Sequence, residues 1–285
     1  MKAIVTGGAG FIGSHIVEKL LKMGAKVTII DDLSSGKEEN INENAKFVEA
    51  DIAYTWEWWA REFDKADVIF HNAASKKNIC LRDPGRDLRV NGGGTLNLLQ
   101  IAKKYDVKKF VHASTGSVYG EVVGKITEST PRNPVSYYGI SKLAGENYVR
   151  YFSNTYNLNT TILRYFHVYG ERQETDPDLG GVVAIFKKQI AEGKEITIHG
   201  SGEQQRLFTH VDDIVTANIV VSEREESNGQ IYNCAASKVV TINQLAKKLG
   251  AEKIRHAATL VGDIFSFDID TKKIQKLGVR FRDYK

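Results

Sequence analysis

The stretch "VTGGAGFIGSH", residues 5–15, restricts the fold of this chain more than any other. A short apolar run, "AIV", leads into it, and a helix-period segment from Phe11 to Met23 leaves it. Gly7, Gly10 and Gly13 stand at three-residue intervals across that strand-to-helix turn. Gly7 permits the tight turn, Gly10 lets a pyrophosphate approach the backbone, and Gly13 lets the helix pack closely. The helix N-terminus attracts the negative charge of phosphates. This context predicts a dinucleotide site; out of context the same triplet would serve a merely structural turn. The next strand-like run, "KVTII", ends at Asp31 and Asp32, at the distance beyond the glycines where an acidic side chain meets the adenosine ribose. A carboxylate there accepts from both ribose hydroxyls and repels a 2′-phosphate. Asp31 is the expected ligand and NAD, not NADP, the expected cofactor; the alternative is that Asp31 only begins a turn.

The glycine turn opens an alternation. "AIVTG", Phe11 to Met23, "KVTII", "KFVEA", "DVIFHNAA", Leu88 to Tyr105 and "KKFVHAS" follow one another as apolar β-branched runs and helix-period segments. Such alternation predicts parallel strands covered by helices on both faces, an α/β doubly wound sheet of Rossmann-like type. Past Tyr165 the regularity loosens. The expected division is 1–165 for the dinucleotide-binding domain and 166–285 for a smaller α+β domain, partly interleaved with the first. In the second part "GVVAIFKKQIAEG" reads as a helix, "EITIHG", "RLFTHV" and "QIYNCA" as strands, and further helices begin at Asp212 and Thr241. Thr241 and Asn243 supply N-cap chemistry before "QLAKKLG", and Gly250 a C-cap.

The 285 residues are 42% hydrophobic and 26% charged, enough for a large buried core. No apolar run approaches a membrane span, and the N-terminal run is too short for a signal peptide, so a cytoplasmic protein with no membrane partner is expected. The net charge of +4 comes from scattered lysines, which argues against a nucleic-acid stripe and leaves room for a basic pocket that takes an anionic small molecule. Cys80 and Cys234 cannot supply a disulfide framework or a CxxC metal site, and read as incidental thiols.

"SYYGISK", residues 136–142, carries the second chemical signal. On a helix, positions four apart share a face, so Tyr138 meets Lys142 while Tyr137 meets only Ser141. The same interval recurs at Tyr105 and Lys109, so spacing alone does not decide.

The glycine loop, Asp31, "DI" at 51–52, "HNAA" at 71–74, "VN" at 90–91 and "SYYGISK" occur here in one order. In that order the chain resembles the extended short-chain dehydrogenase/reductases, in particular the NAD-dependent sugar-nucleotide epimerase/dehydratase group. The resemblance runs through nearly the whole chain. It implies NAD held in the first domain, a nucleotide sugar (UDP-sugar) under the second, and a homodimer joined through a four-helix bundle of the helices near 88–105 and 138–156. By that resemblance Gly7, Gly10, Phe11, Ile12 and Gly13 form the pyrophosphate loop, Asp31 takes the ribose, and Asp51 and Ile52 touch adenine. Ala73, Ala74, Lys76, Asn91 and Tyr165 take further cofactor positions, with Lys77 an alternative to Lys76. Thr115 in "HASTGSVYG" matches the family serine or threonine, and Tyr138 and Lys142 match the YxxxK pair.

The implied activity is 4-epimerisation of the UDP-glucose/UDP-galactose type through a transient 4-keto sugar. Dehydratases of this group place Asp-Glu after the threonine, where this chain has Gly116 and Ser117; decarboxylases carry a glutamate there. A 4,6-dehydratase or oxidoreductase, and a non-catalytic NAD-binding scaffold, stay open as alternatives. On the substrate side His167 replaces the usual asparagine and either bonds the sugar or phosphate or is simply packed; Glu171 replaces a proline. Arg206 matches a phosphate-binding arginine, with a surface ion pair as the alternative, and His199 falls where an aromatic often lies beside the base. Leu260 stands where a second arginine is usual, and Phe267 near the wall that limits sugar substituents.

Overall fold

The computed structural model describes residues 1–54, 57–75, 77–176, 180–259, 265–266 and 268–285. Among them, seven strands form one parallel sheet: β1 (Lys2–Thr6), β2 (Lys26–Asp31), β3 (Lys46–Glu49), β4 (Val68–His71), β5 (Lys109–Thr115), β6 (Thr160–Tyr165) and β7 (Gln230–Cys234). Their order is β7-β6-β5-β4-β1-β2-β3, and every neighbouring pair is parallel. The order reverses between β1 and β4, and α/β sheets open a crevice at the carboxyl ends of strands flanking such a switch.

The strand sequences are apolar without interruption because both faces are covered. Ala3 and Val5 of β1, Val27 and Ile29 of β2, and Val68 and Phe70 of β4 face one layer. Ile4, Ile30 and Ile69 between them face the other. Helix α1 (Phe11–Lys22) supplies Ile16, Val17 and Leu20 to the first layer. Helix α2 (Thr95–Lys104) gives Leu98, Leu99 and Ile101 to the second, and α3 (Tyr137–Tyr156) adds Val149 and Phe152. Each wholly buried side chain of this kind contributes about 1.5–3 kcal/mol over its exposed state. No helix among the described residues is long and apolar enough to cross a membrane.

One feature departs from the sequence expectation. The pattern from Leu88 to Tyr105 is not one α-helix: Pro84–Leu88 is α-helical, Arg89–Gly94 forms a π-turn, and α2 follows. A side chain at Gly94 would come within 2.7 Å of Ile52, so the wide turn brings the backbone against the loop after β3. The second half of the chain returns to the main sheet. Strand β7 pairs with β6, and α4 (Val211–Glu223) packs Ile214, Ala217 and Val221 into the first layer.

The smaller unit has its own core, in which Val183 and Phe186 of the helix Val182–Ala191 meet Ile196, Ile198, Phe208 and Leu245. Its strands are short: Ile196–His199 pairs with Ile254–Ala257, and Gln205–Arg206 with Val240–Thr241. Thr241 caps the helix Ile242–Lys248 in a capping box with Gln244. Asn243 instead donates to the Ser201 carbonyl and to Glu203, outside the helix it was expected to cap. Gly250, just past the end, is left-handed at φ +76°.

Candidate active site

The carboxyl ends of β1 and β4 frame one cleft of about 1160 Å³, its open mouth included. Gly7 leaves β1 at φ +70°, and a Cβ there would fall 2.6 Å from the Ala73 nitrogen. A Cβ on Gly13 would fall 2.0 Å from the Gly7 carbonyl oxygen, so the first turn of α1 lies directly on the glycine turn. Gly10, the N-cap of α1, is different. Its added Cβ would meet only that same oxygen, at 3.2 Å, and the space in front of it belongs to the cleft. Behind this turn the N-terminus of α1, which has no side-chain cap, offers the orphan N–H groups with which a helix end binds an anion.

Asp31 ends β2 inside the wall. It is 6% exposed and accepts from the Ala9 N–H at 3.0 Å and from Leu33 N–H at 2.9 Å. Burial pushes its carboxyl up, and these two bonds oppose the rise. Each oxygen keeps further acceptor capacity, and Asp31 lines the cleft. Phe11, Ile12, Asp51, Ile52, Ala73 and Ala74 line the same space. Tyr165 closes one side; its hydroxyl accepts from Asn218 at 2.8 Å. Lys76 lies outside the described residues, as do Leu260 and Phe267.

The catalytic candidates come from a strand end and a helix start. Ser136 caps α3 by accepting from Gly139 N–H at 3.1 Å, which places Tyr138 in the first turn and Lys142 one turn on. Tyr138 and Lys142 both line the cleft, whereas Tyr137 is 54% exposed and outside it. Thr115 ends β5 beside Tyr138, its hydroxyl accepting from Ser117 N–H at 3.2 Å. It does not itself line the cleft wall; Ser114 does.

Burial pushes the Tyr138 phenol well above its ordinary range, Cys80 and Asp87 add to the rise, and Thr115 opposes it. Burial pulls the Lys142 ammonium down to about 8, against Glu146, Asp87 and Cys80, which hold it up. The polypeptide alone therefore leaves the phenol protonated at neutral pH. Lys142 is 2% exposed and its ammonium has no hydrogen-bond partner among the described residues, although it borders the cleft. The Nδ2 of Asn72, buried in the same wall, is likewise unpartnered. Two unmet donors, an open glycine cradle and a buried carboxylate suit the hydroxyls, amide and pyrophosphate of a nicotinamide dinucleotide.

Asn91 sits beneath the cleft. Fully buried, it donates to Asp87 at 2.6 Å and Ser141 at 3.0 Å, and accepts from Ser75 N–H at 2.9 Å. It shapes the wall at Ser75 without reaching the open space. Cys80 is also part of this underlayer, its thiol 2.7 Å from Asp87 Oδ1, and burial pushes it up to about 12. Neither Asp87 nor Cys80 carries a sequence signal, because only the fold brings residues 80 and 87 under Tyr138.

His167, His199 and Arg206 stand apart from this cleft. His167 follows β6 at φ +40°, a costly conformation for a histidine, with its ring edge-on to Phe208. His199 Nδ1 lies 3.1 Å from the Ala258 carbonyl, and Arg206 donates to the Gln205 carbonyl at 2.8 Å. All three belong to the segments of the smaller unit and its junction with the sheet.

A switch-point cleft with a glycine cradle, an acidic strand end and a tyrosine–lysine turn defines a dinucleotide-dependent enzyme of the short-chain dehydrogenase/reductase type. The family model for the NAD dependent epimerase/dehydratase family matches residues 3–235, and the chain belongs to that family; NAD is its cofactor. It is 38% identical to a UDP-glucose 4-epimerase of Mycolicibacterium smegmatis over 86% of this chain and 80% of the relative. The crystal structure of a Thermotoga maritima UDP-glucose 4-epimerase with UDP-glucose superposes with TM-score 0.93 at 39% identity, covering 99% of this chain and 94% of that one. That of a Thermus thermophilus UDP-glucose 4-epimerase with NAD gives 0.91 at 34%, covering 98% and 94%.

Proposed function

We propose that this protein interconverts nucleotide sugars epimeric at C4, with UDP-glucose and UDP-galactose as the reference pair. The observation that carries the reading is that Tyr138 and Lys142, one turn apart on α3, both line the dinucleotide cleft, with Thr115 beside the phenol.

Gly7, Gly10 and Gly13 would hold the pyrophosphate, Asp31 the adenosine ribose, and Lys142 with Asn72 the nicotinamide end. Bound NAD supplies the redox capacity at the sugar C4 and a positive charge near the phenol. Tyr138 takes the proton of the 4-hydroxyl as that carbon becomes a ketone, and Thr115 orients the sugar oxygen for the transfer. The protein must lower the phenol from its buried value, and a nearby positive charge favours the ionised form by about one to three units. After the keto sugar turns over, Tyr138 returns the proton to the same oxygen, so no net oxidation results. Arg206 and His167 are the candidates for holding the diphosphate and sugar, with His199 nearer the base.

A dehydratase needs acid and base groups where Gly116 stands. A Cβ at Gly116 would fall 2.2 Å from the Phe166 ring, which leaves no room for a side chain there and favours epimerisation. A non-catalytic scaffold has no use for the Thr115–Tyr138 pair. Incubation with UDP-, dTDP- and GDP-sugars, followed by NMR, is the test. The expected result is a C4 epimer with NAD unchanged; loss of water or lasting NADH overturns it.

We also infer a homodimer. Tyr137, Ile140, Tyr148 and Tyr151 are 40–54% exposed and form one stripe along α3, joined by exposed Leu88. The stripe fits a two-fold helical bundle with its copy. Buried free thiols at Cys80 and Cys234 suit a reducing compartment, and the cytoplasm is taken as its place.

A further inference from the structure

Arg86 joins three segments that are distant in the chain. Its Nη2 donates to Asp32 at 2.7 Å and its Nη1 to Asp51 at 3.1 Å. Asp32 follows β2, Asp51 follows β3, and Arg86 rides on the short helix Pro84–Leu88, whose start is fixed by Asp83 accepting from Arg86 N–H at 2.8 Å. An ordinary surface ion pair contributes little to stability, about 0–1 kcal/mol, and rarely spans three segments. This one differs in position. All three side chains line the dinucleotide cleft at its acidic end, and each is only 21–27% exposed.

The guanidinium fork is divided between two carboxylates, so it sets the distance between the two loops that flank the adenosine position. Asp51 has its other oxygen on Ala53 N–H at 2.9 Å, and Asp32 has its other oxygen on Ser34. Both acids are therefore anchored at their own loops while Arg86 pulls them together. Without it, two carboxylates and nearby Asp31 would repel one another across the opening.

We propose that Arg86 is a cofactor-retention residue: with Asp32 and Asp51 it forms a clasp across the adenosine end of the cleft that slows escape of bound NAD. The clasp rests on the cleft being the NAD site and adds to that reading a residue outside the glycine and YxxxK motifs. The planar fork can lie against an adenine face, and breaking it requires two charge-assisted bonds to open together.

The test is NAD release from holoprotein, followed by the change in intrinsic or NADH fluorescence after dilution into competitor. R86Q is expected to release the dinucleotide about tenfold faster than the wild type, and D32N about threefold faster, by loss of charge-assisted bonds. The double variant R86Q/D32N is expected to be no faster than R86Q, since both act through one contact. R86K, which keeps charge without the fork, falls between wild type and R86Q. The NAD-free melting temperature of R86Q is expected within about 2 °C of wild type, which separates retention from general loss of stability. Unchanged release in R86Q, additive effects of R86Q and D32N, or an NAD-free melting temperature that falls in step with release would overturn the clasp. Failure of the wild type to bind NAD saturably would overturn the cleft assignment itself.

Discussion

Arg164 and Glu146 meet in a two-point ion pair from which solvent is wholly excluded. Nε reaches Oε1 at 2.8 Å and Nη2 reaches Oε2 at 2.6 Å. Ser114 donates to Glu146 Oε1 at 2.6 Å, and Arg164 also donates to the Tyr119 hydroxyl at 2.6 Å. The pair thus fixes α3 to the end of β6, and Ser114 adds the end of β5, one turn from Lys142, which Glu146 helps to keep charged.

Removing one member leaves the other charge buried and alone. R164M is expected to lower stability by about 3–5 kcal/mol, whereas R164M/E146L recovers most of that loss. Urea denaturation of the three proteins gives the comparison; a single-variant loss below about 1 kcal/mol would contradict the burial argument.

Tyr138→Phe is expected to reduce turnover by about 10²–10⁴-fold, the usual range for a lost general acid–base group. Tyr137→Phe keeps the ring that faces the inferred bundle and lies outside the cleft, so it should stay within about twofold. Steady-state rates with UDP-galactose decide between them. Equal losses would remove the helical-face assignment.

The two inner glycines separate scaffold from cradle. G13A forces a Cβ onto a carbonyl oxygen and is expected to destabilise the apoprotein by more than about 2 kcal/mol. G10A meets less resistance within the chain, so it is expected to fold with a near-normal melting temperature and to lose dinucleotide affinity by about tenfold or more. Calorimetric unfolding and NAD titration check both; an apoprotein of G10A as damaged as that of G13A would argue that the space at Gly10 is structural.

Lys142 also sets a pH dependence of stability. Its folded value of about 8 lies below the ordinary 10.5, so between these values the unfolded chain binds more protons and stability rises with pH. Below pH 8 the full cost of the buried charge is present. Lys109, also drawn to about 8 by burial, acts in the same direction. The difference in unfolding free energy between wild type and K142M isolates Lys142, and in the NAD-free protein it is expected to move in favour of wild type as pH rises from 8 to 10. A flat difference would show that the ammonium is solvated.

What was legible in the sequence was local. Apolar runs gave the strands of the sheet because each is buried on both faces, and the glycine turn and the Tyr138–Lys142 interval are fixed by a few bonds along the chain. Contacts between distant segments were not legible. Nothing near Arg86 announces Asp32 and Asp51, and nothing at "QIYNCA" tells that it pairs with "TTILRY" across a connection of many residues. The π-turn at Arg89–Gly94 was hidden as well, since its residues keep a helix-like pattern while Gly94 yields to Ile52. Asn91 shows the limit from the other side: it lies at a family cofactor position, yet its polar atoms are consumed by Ser75, Asp87 and Ser141.

Strand β7 takes its place beside β6 only after the smaller unit's first half has been made. While the polypeptide emerges from the ribosome, β6 therefore presents a bare hydrogen-bonding edge from Tyr165 until Gln230 arrives. Nascent chains stalled in that interval are the ones to which a chaperone, or a second unfinished copy, has something to hold.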